Sequence, residues 1–352
     1  MESYIFIIQF KIRGNIMTKK SKTTYGVLTE AAGLYFSNIS KFLKYMTFPI
    51  LGQTAGLILI FAITYFYAQN FPKLIKSFPA LNNLSTLVLI SLLITLPGLI
   101  IYLKAFWEYL VAYGAVNSML DNMLKSGRVY DFDAHTELIK RRSLPFVGLW
   151  LLVGIFSLVA SCPLFWVICG ILAVYFVLIF QVFTYEPELS PIGCARKSLL
   201  LIKGHFGSTF FLLCSIGLLT YLFIPQIFIK IFELLNVNAF LSGAILPLVN
   251  MLPEIDLVKY GLKPLTQSDI ALFTVQAIIA QILIGYTLPM RSILWGLWYK
   301  KLNKEMPSGE KKTKRRTKRP SEKLMEESSK KFGKKKIDDN ILRRAMEKDE
   351  EN

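Results

Sequence analysis

Charge is missing from long stretches of this chain. Residues 143 to 185 are 43 positions without one Asp, Glu, Lys or Arg. As a helix rising about 1.5 Å per residue, that run reaches roughly twice the ~30 Å of a bilayer's hydrocarbon. It reads as two crossings joined at Ser161-Cys162-Pro163, because proline removes a backbone donor and disfavours helix in the residue before it. Histidine is scarce too: His135 and His205 have no Cys or His at metal-ligand spacing, so no zinc site is expected. The four cysteines, Cys162, Cys169, Cys194 and Cys214, follow no ligand or redox spacing. They read as small apolar filler, and nothing indicates a disulfide between Cys162 and Cys169. There is no glycine-rich phosphate loop and no serine on a strand-to-helix elbow. The polar segments are too short for a catalytic domain, so neither a catalytic residue nor a cofactor is expected.

What is present is apolar surface. Hydrophobic residues make up 53% of the chain and charged ones 18%, against about 25% charged in soluble domains. The mean hydropathy is +0.44. Four further uncharged runs have spanning length: Met46 to Pro72, Ser77 to Leu103, Phe206 to Ile229 and Ile270 to Met290. With the split run they make six spans. Leu234 to Pro253 is also free of charge, but Asn236, Asn238, Asn250, Pro247 and Pro253 make it a poor crossing, since hydrocarbon offers freed backbone groups no partner. The second span continues its pattern past Leu103 to about Leu124, which projects its end beyond the bilayer.

Lysine and arginine set the orientation. Lys11, Arg13, Lys19, Lys20, Lys22, Lys41 and Lys44 precede the first span, and only Lys73 and Lys76 follow it. Lys125, Arg128, Lys140, Arg141 and Arg142 fill the next loop, and nineteen basic residues against eleven acidic ones lie from Tyr299 onward. Six spans place both termini and the rich loops on the cytoplasmic side, as the positive-inside bias requires. Seven would strand the tail outside. The net charge of +17 is thus mostly topology.

Outside the spans, residues 1–25 read as a disordered leader, with Met17-Thr-Lys-Lys as an alternative start and no signal-peptide cleavage pattern. Residues 26–45 have Leu28, Ala31, Tyr35, Ile39, Phe42 and Leu43 on one helical face, in line with Met46, and Glu30, Ser37, Lys41 and Lys44 on the other. Such a helix is expected to lie flat in the headgroups, or to pack on the ends of the spans. Residues 46–299 form the membrane domain and 300–352 a disordered basic tail. Residues 128–140 read as a loop. Ser190 is placed to cap, and Pro191 to open, a short interfacial helix ending near Gly204.

Ionisable residues near the membrane are the candidate site. Lys104, Glu108, Glu186 and Arg291 form an expected polar cluster near the inner interface, with Lys104 and Glu108 spaced for an intrahelical pair and Arg291 snorkelling or meeting a carboxylate. Trp107, Trp295 and Trp298 read as an aromatic belt. Lys311, Lys312, Lys314, Arg315, Arg316, Lys318 and Arg319 form the densest charge block, expected to bind anionic headgroups at about 1 kcal/mol per basic residue. No aromatic interleaves the block, so nucleic acid is not the expected partner; membrane lipids are, with a membrane protein as a further partner.

Glu186-Pro187-Glu188-Leu189-Ser190-Pro191, followed by Ala195, Ser198, Lys203, Gly204, His205 and Phe206, resembles the YciC-like family of bacterial inner-membrane proteins. It is also similar to the membrane domain attached to some glycerophosphodiester phosphodiesterases. The resemblance spans about Tyr25 to Leu302 and implies six helical spans and an envelope role. It implies no catalytic residue, and this chain lacks the hydrolase domain.

The sequence therefore reads as an all-α polytopic membrane bundle with interfacial amphipathic helices, in the cell (inner) membrane. The expected role is non-enzymatic, in envelope organisation or regulation of a membrane partner. A transporter or lipid translocase is the first rival, suggested by Pro97, Pro225 and Pro289 and by Gln276 and Gln281 in the last span. A membrane-insertion or ribosome-docking factor using the tail is the second. Protease added outside sealed, right-side-out cells is expected to leave residues 307–352 uncut; cleavage there would overturn the six-span orientation.

Overall fold

In the computed structural model residues 23–78, 83–129, 131–250 and 265–306 are described. The leader to Lys22, the tail from Pro307 with its basic block, and residues 251–264 lie outside them. The described residues up to Asn303 belong to one compact unit, and residues 304–306 to a second. The described residues are helical with no strand, and six helices are long and apolar enough to cross a membrane.

The stretch from Gly26 to Met46 is two helices rather than one. Helix α1 (Thr24–Ser37) opens on Thr23, whose side chain accepts from the Gly26 amide at 3.2 Å. It stops at Asn38. That side chain donates to the carbonyls of Leu34 (3.0 Å) and Gly127 (3.1 Å) and accepts from the Val129 amide (3.1 Å), so the break is tied to the loop after the second span. Helix α1 buries Val27, Ala31, Leu34 and Tyr35 against the protein, and the Tyr35 hydroxyl donates to the Tyr286 carbonyl at 3.0 Å. Of the two expected placements, this is packing on the spans; Tyr25 and Phe36 stay exposed.

Helix α2 (Ile39–Ser77) carries the first span and α3 (Leu84–Ser126) the second, including its overrun past Leu103. Gly127 ends α3 at φ 68°, the left-handed region that glycine adopts without strain. The two long helices approach closely at small residues. A Cβ at Gly56 would lie 2.7 Å from the Tyr102 nitrogen and 2.8 Å from the Gly98 oxygen.

Residues 132–140 are helix α4 (Phe132–Lys140), not the expected loop. Nine residues give little periodicity, and tertiary contacts hold the segment. Thr136 meets the Tyr45 hydroxyl at 2.6 Å, and His135 Nδ1 meets Ser118 Oγ at 2.6 Å. Burial holds the His135 imidazole below its usual pKa, which favours the neutral ring in this contact.

The hairpin turns where expected. Helix α5 (Ser143–Ala160) gives way to a 3-10 turn at Pro163–Phe165, then α6 (Trp166–Phe176) and α7 (Ile179–Tyr185) complete the fourth span. Arg142, just before α5, donates to the carbonyls of Phe183 (2.9 Å) and Pro187 (2.8 Å), closing the base of the hairpin. Helix α8 (Pro191–Ile202) is capped by Ser190, which accepts from the Gly193 amide at 3.2 Å. It buries Cys194, Ser198, Leu201 and Ile202 and leaves Ile192 and Leu199 exposed.

The fifth span runs through α9 (Phe206–Gly217), a π-helical segment (Leu218–Phe223) and α10 (Ile224–Leu234). Helix α11 (Val237–Val249) has 13 residues, and it packs beside α10 and α12 (Gln267–Tyr286). It is an apolar helix too short to count as a seventh span. Helix α12 opens on a capping box between Thr266 and Asp269. The chain breaks at Thr287 and continues as α13 (Leu288–Glu305).

Large side chains such as Leu144, Leu158, Val167 and Phe61 point outward, far more apolar surface than a water-soluble fold leaves open. Trp295 and Trp298 do not join a belt, because both are buried. Trp298 Nε1 donates to Thr209 Oγ1 at 3.0 Å, so that hydrogen bond is made inside the protein.

Gly56→Leu is expected to force α2 from α3 and to cost about 1–3 kcal/mol or more, whereas Gly33→Ala, with no atom within 4 Å of its Cβ, is expected to be neutral or mildly stabilising. Thermal unfolding in detergent checks both; equal stability of Gly56→Leu and the unmodified chain would refute the close approach.

Candidate functional site

Among the described residues, no hydrogen bond or ion pair joins two of the four ionisable residues expected to cluster. Glu108 pairs with Lys140 of α4 at 2.8 Å rather than with Lys104 one turn away. Helix α4 brings a full ammonium to the carboxylate, and Lys104 lies over the Phe48 ring, 5.6 Å from its centroid. Glu186 accepts from the Tyr299 hydroxyl at 3.0 Å and faces Lys197 at 3.9 Å. Of the two expectations for Arg291, snorkelling or a carboxylate, no carboxylate meets it among the described residues; it bonds a tyrosine and a backbone carbonyl. The basic block from Lys311 to Arg319 lies outside the described residues.

A polar layer that no charge marks lies where α3, α7 and α13 meet. Asn117, Gln181 and Ser292 are each fully buried. Tyr113 and Asn117 share a face of α3 at i,i+4 spacing. Gln181 Nε2 donates to Asn117 Oδ1 and to the Tyr113 hydroxyl, both at 3.3 Å. Ser292 Oγ lies 2.9 Å from Asn117 Oδ1 and 3.1 Å from the Tyr113 carbonyl. The Tyr185 hydroxyl donates to the Asn117 carbonyl at 3.0 Å. Gly296, one turn beyond Ser292, admits α13 to this distance; a Cβ there would lie 2.5 Å from Leu120 Cδ2.

The layer is not closed. Asn117 Nδ2 and Gln181 Oε1 are buried without a partner. Turning both amides over together preserves the bonds between them and still leaves one donor and one acceptor open. Gln276 and Gln281, the glutamines singled out from sequence, take no part: Gln281 is exposed and Gln276 half-buried.

Arg291 extends this layer toward the fifth span. Its Nη1 donates to the Tyr221 hydroxyl and its Nη2 to the Ile284 carbonyl at 2.9 Å. The guanidinium carbon stands 4.7 Å from the Tyr221 ring centroid, a cation–π geometry. Tyr109, one turn before Tyr113, lies near enough to Arg291 to feel its charge. The Nε proton is buried with no partner.

Helix breaks put these groups together. Pro225 lacks an amide and its ring collides with the carbonyl four residues back, that of Tyr221. The chain accommodates it with the π segment, a feature frequent at functional sites. In the last span Pro289 follows the break at Thr287, whose hydroxyl and Arg291 both reach the Ile284 carbonyl.

No protein-family model matches this chain, and no curated protein or solved structure matches it either. Among the described residues no group of three His, Cys, Asp or Glu side chains is placed to hold a metal ion. The groups present are phenols, amides, a hydroxyl and a guanidinium, which hold and orient a ligand by hydrogen bonds and charge. In the sequence, Gln181 was visible as a lone amide inside the 43-residue uncharged run, and Pro225 four residues after Tyr221. Nothing in the pattern pointed to Asn117 or Ser292.

Asn117→Leu alone is expected to cost about 1–3 kcal/mol, because it removes the acceptor that Ser292 and Gln181 share and leaves each with Tyr113 alone. Asn117→Leu with Gln181→Leu should cost clearly less than the two single changes summed. Unfolding of the four proteins of this cycle in detergent measures the coupling, and strict additivity would contradict a shared layer.

Proposed function

We propose that this chain is a non-enzymatic, multi-pass protein of the cell membrane with both termini in the cytoplasm, and that it works as a transporter or lipid translocase. The observation that carries this reading is the meeting of two interrupted spanning helices at Arg291: the π segment with Pro225 on one side and the Thr287 break with Pro289 on the other. Interrupted helices gathered around polar side chains are the arrangement by which membrane carriers build binding sites. The open donor and acceptor of Asn117 and Gln181 support it, since buried polar groups without partners mark places where water or ligand completes the bonding. Envelope organisation and control of a membrane partner rest on the lack of a central polar constellation in the sequence, and the buried Asn117–Gln181–Ser292 layer favours carrying over both. The basic loops support the orientation. Membership of the YciC-like family belongs to the same proposal, supported by the Ser190-capped helix Pro191–Ile202.

The test is reconstitution of the full chain in sealed vesicles, following transbilayer movement of labelled phospholipids and uptake of small anions. Movement above that of empty vesicles, lowered about tenfold or more by Arg291→Gln, is the expected result. Equal rates with and without the protein for every probe would remove the carrier reading.

A further inference from the structure

We propose that Arg291 and Tyr221 form a binding site for the phosphate of an anionic phospholipid that enters sideways between the fifth and sixth spans. The assignment names the substrate class and rests on the carrier reading of that same site.

The charge balance is the first reason. Among the described residues Arg291 forms no ion pair, and carboxylates of the helices and loops it packs with have other partners: Glu108 pairs with Lys140, Glu186 with Tyr299 and Lys197, Asp121 with Lys300. A guanidinium placed against apolar helices without a counter-charge is costly, and a ligand anion supplies what the chain omits. Its free donors fit a phosphate. The Nε proton has no partner and each Nη keeps a second proton beyond its bond to Tyr221 or Ile284, so an Nε–Nη edge, the planar fork that matches two oxygens of a phosphate or carboxylate, is left to a ligand that displaces the apolar cover over the buried Nε. The Tyr221 hydroxyl accepts from Arg291 and therefore keeps its own proton to donate to the same anion.

Surroundings decide the source of the phosphate. Tyr221 is 55% exposed, and around it Leu218 (52%), Leu222 (47%) and Phe223 (55%) form an outward apolar surface on the π segment. Arg291 itself is partly exposed on this side. An anion reaching it from there crosses a surface suited to acyl chains, which a lipid carries and a free phosphate does not.

The experiment uses the full chain in neutral detergent at high salt, which screens the polybasic segment. Thermal unfolding is followed during titration with phosphatidylglycerol, phosphatidylcholine or inorganic phosphate. Phosphatidylglycerol is expected to raise the unfolding temperature of the unmodified chain, with little effect from the other two. Its apparent affinity should fall about tenfold or more in Arg291→Gln and less in Tyr221→Phe, with partial rescue in Arg291→Lys. Tyr221→Phe keeps the ring and the fold, so it carries the test if Arg291→Gln does not fold. An undiminished phosphatidylglycerol response in both variants would overturn the site, and a response to inorganic phosphate alone would overturn the lipid as its source. The vesicle assay separates the two proposals. Lipid binding at Arg291 without transbilayer movement defeats the carrier reading and leaves this site. Movement that persists without any phosphatidylglycerol response defeats this site and leaves the carrier reading.

Discussion

A guanidinium set against apolar helices has to find a counter-charge or enough acceptors to replace water, and Arg291 is given neither in full. One tyrosine hydroxyl, one backbone carbonyl and the face of one ring share the charge, and its Nε proton stays unused. The helix interruptions follow from the same constraint. The π segment places Tyr221 against the guanidinium, and the break at Thr287 leaves Ile284 with a carbonyl that both Thr287 and Arg291 can reach. Apolar packing alone would favour continuous helices; the polar layer from Arg291 through Ser292 to Asn117 and Gln181 gives those breaks a use.

The rest of the fold holds this layer in place from one end of the bundle. Asn38 ties the first helix break to the loop after α3, Arg142 closes the hairpin onto Phe183 and Pro187, and Tyr35 reaches the Tyr286 carbonyl beside the last break. Each of these bonds satisfies a backbone group that a turn has freed, where an unpaired group would cost free energy. Exposed leucines and phenylalanines cover the outside, and the interior is mostly apolar as well, with the polar layer set into it.

Much of the architecture was legible in the residues because it rests on crude quantities. Long runs without charge mark the spans, a proline at position 163 marks the hairpin turn, and Ser190-Pro191 marks the start of a capped helix. The site was legible only at Arg291. Glu108 found Lys140, 32 residues away, instead of Lys104, because α4 folds back onto α3 and no local spacing announces that. Trp295 and Trp298 look like belt residues by composition, yet a threonine partner at Thr209 lets the second be buried. Asn117 and Ser292 are ordinary small polar residues until the helices bring them within 2.9 Å.

The central claim is that the charge of Arg291 is completed by an anion the chain does not supply. A structure of the full-length protein in a bilayer disc containing phosphatidylglycerol addresses it most directly. The account predicts a headgroup within hydrogen-bonding distance of Arg291 Nε and the Tyr221 hydroxyl, with its acyl chains along Leu218 and Leu222. A carboxylate of the protein itself seated on Arg291, with lipid absent from that seam, would contradict it.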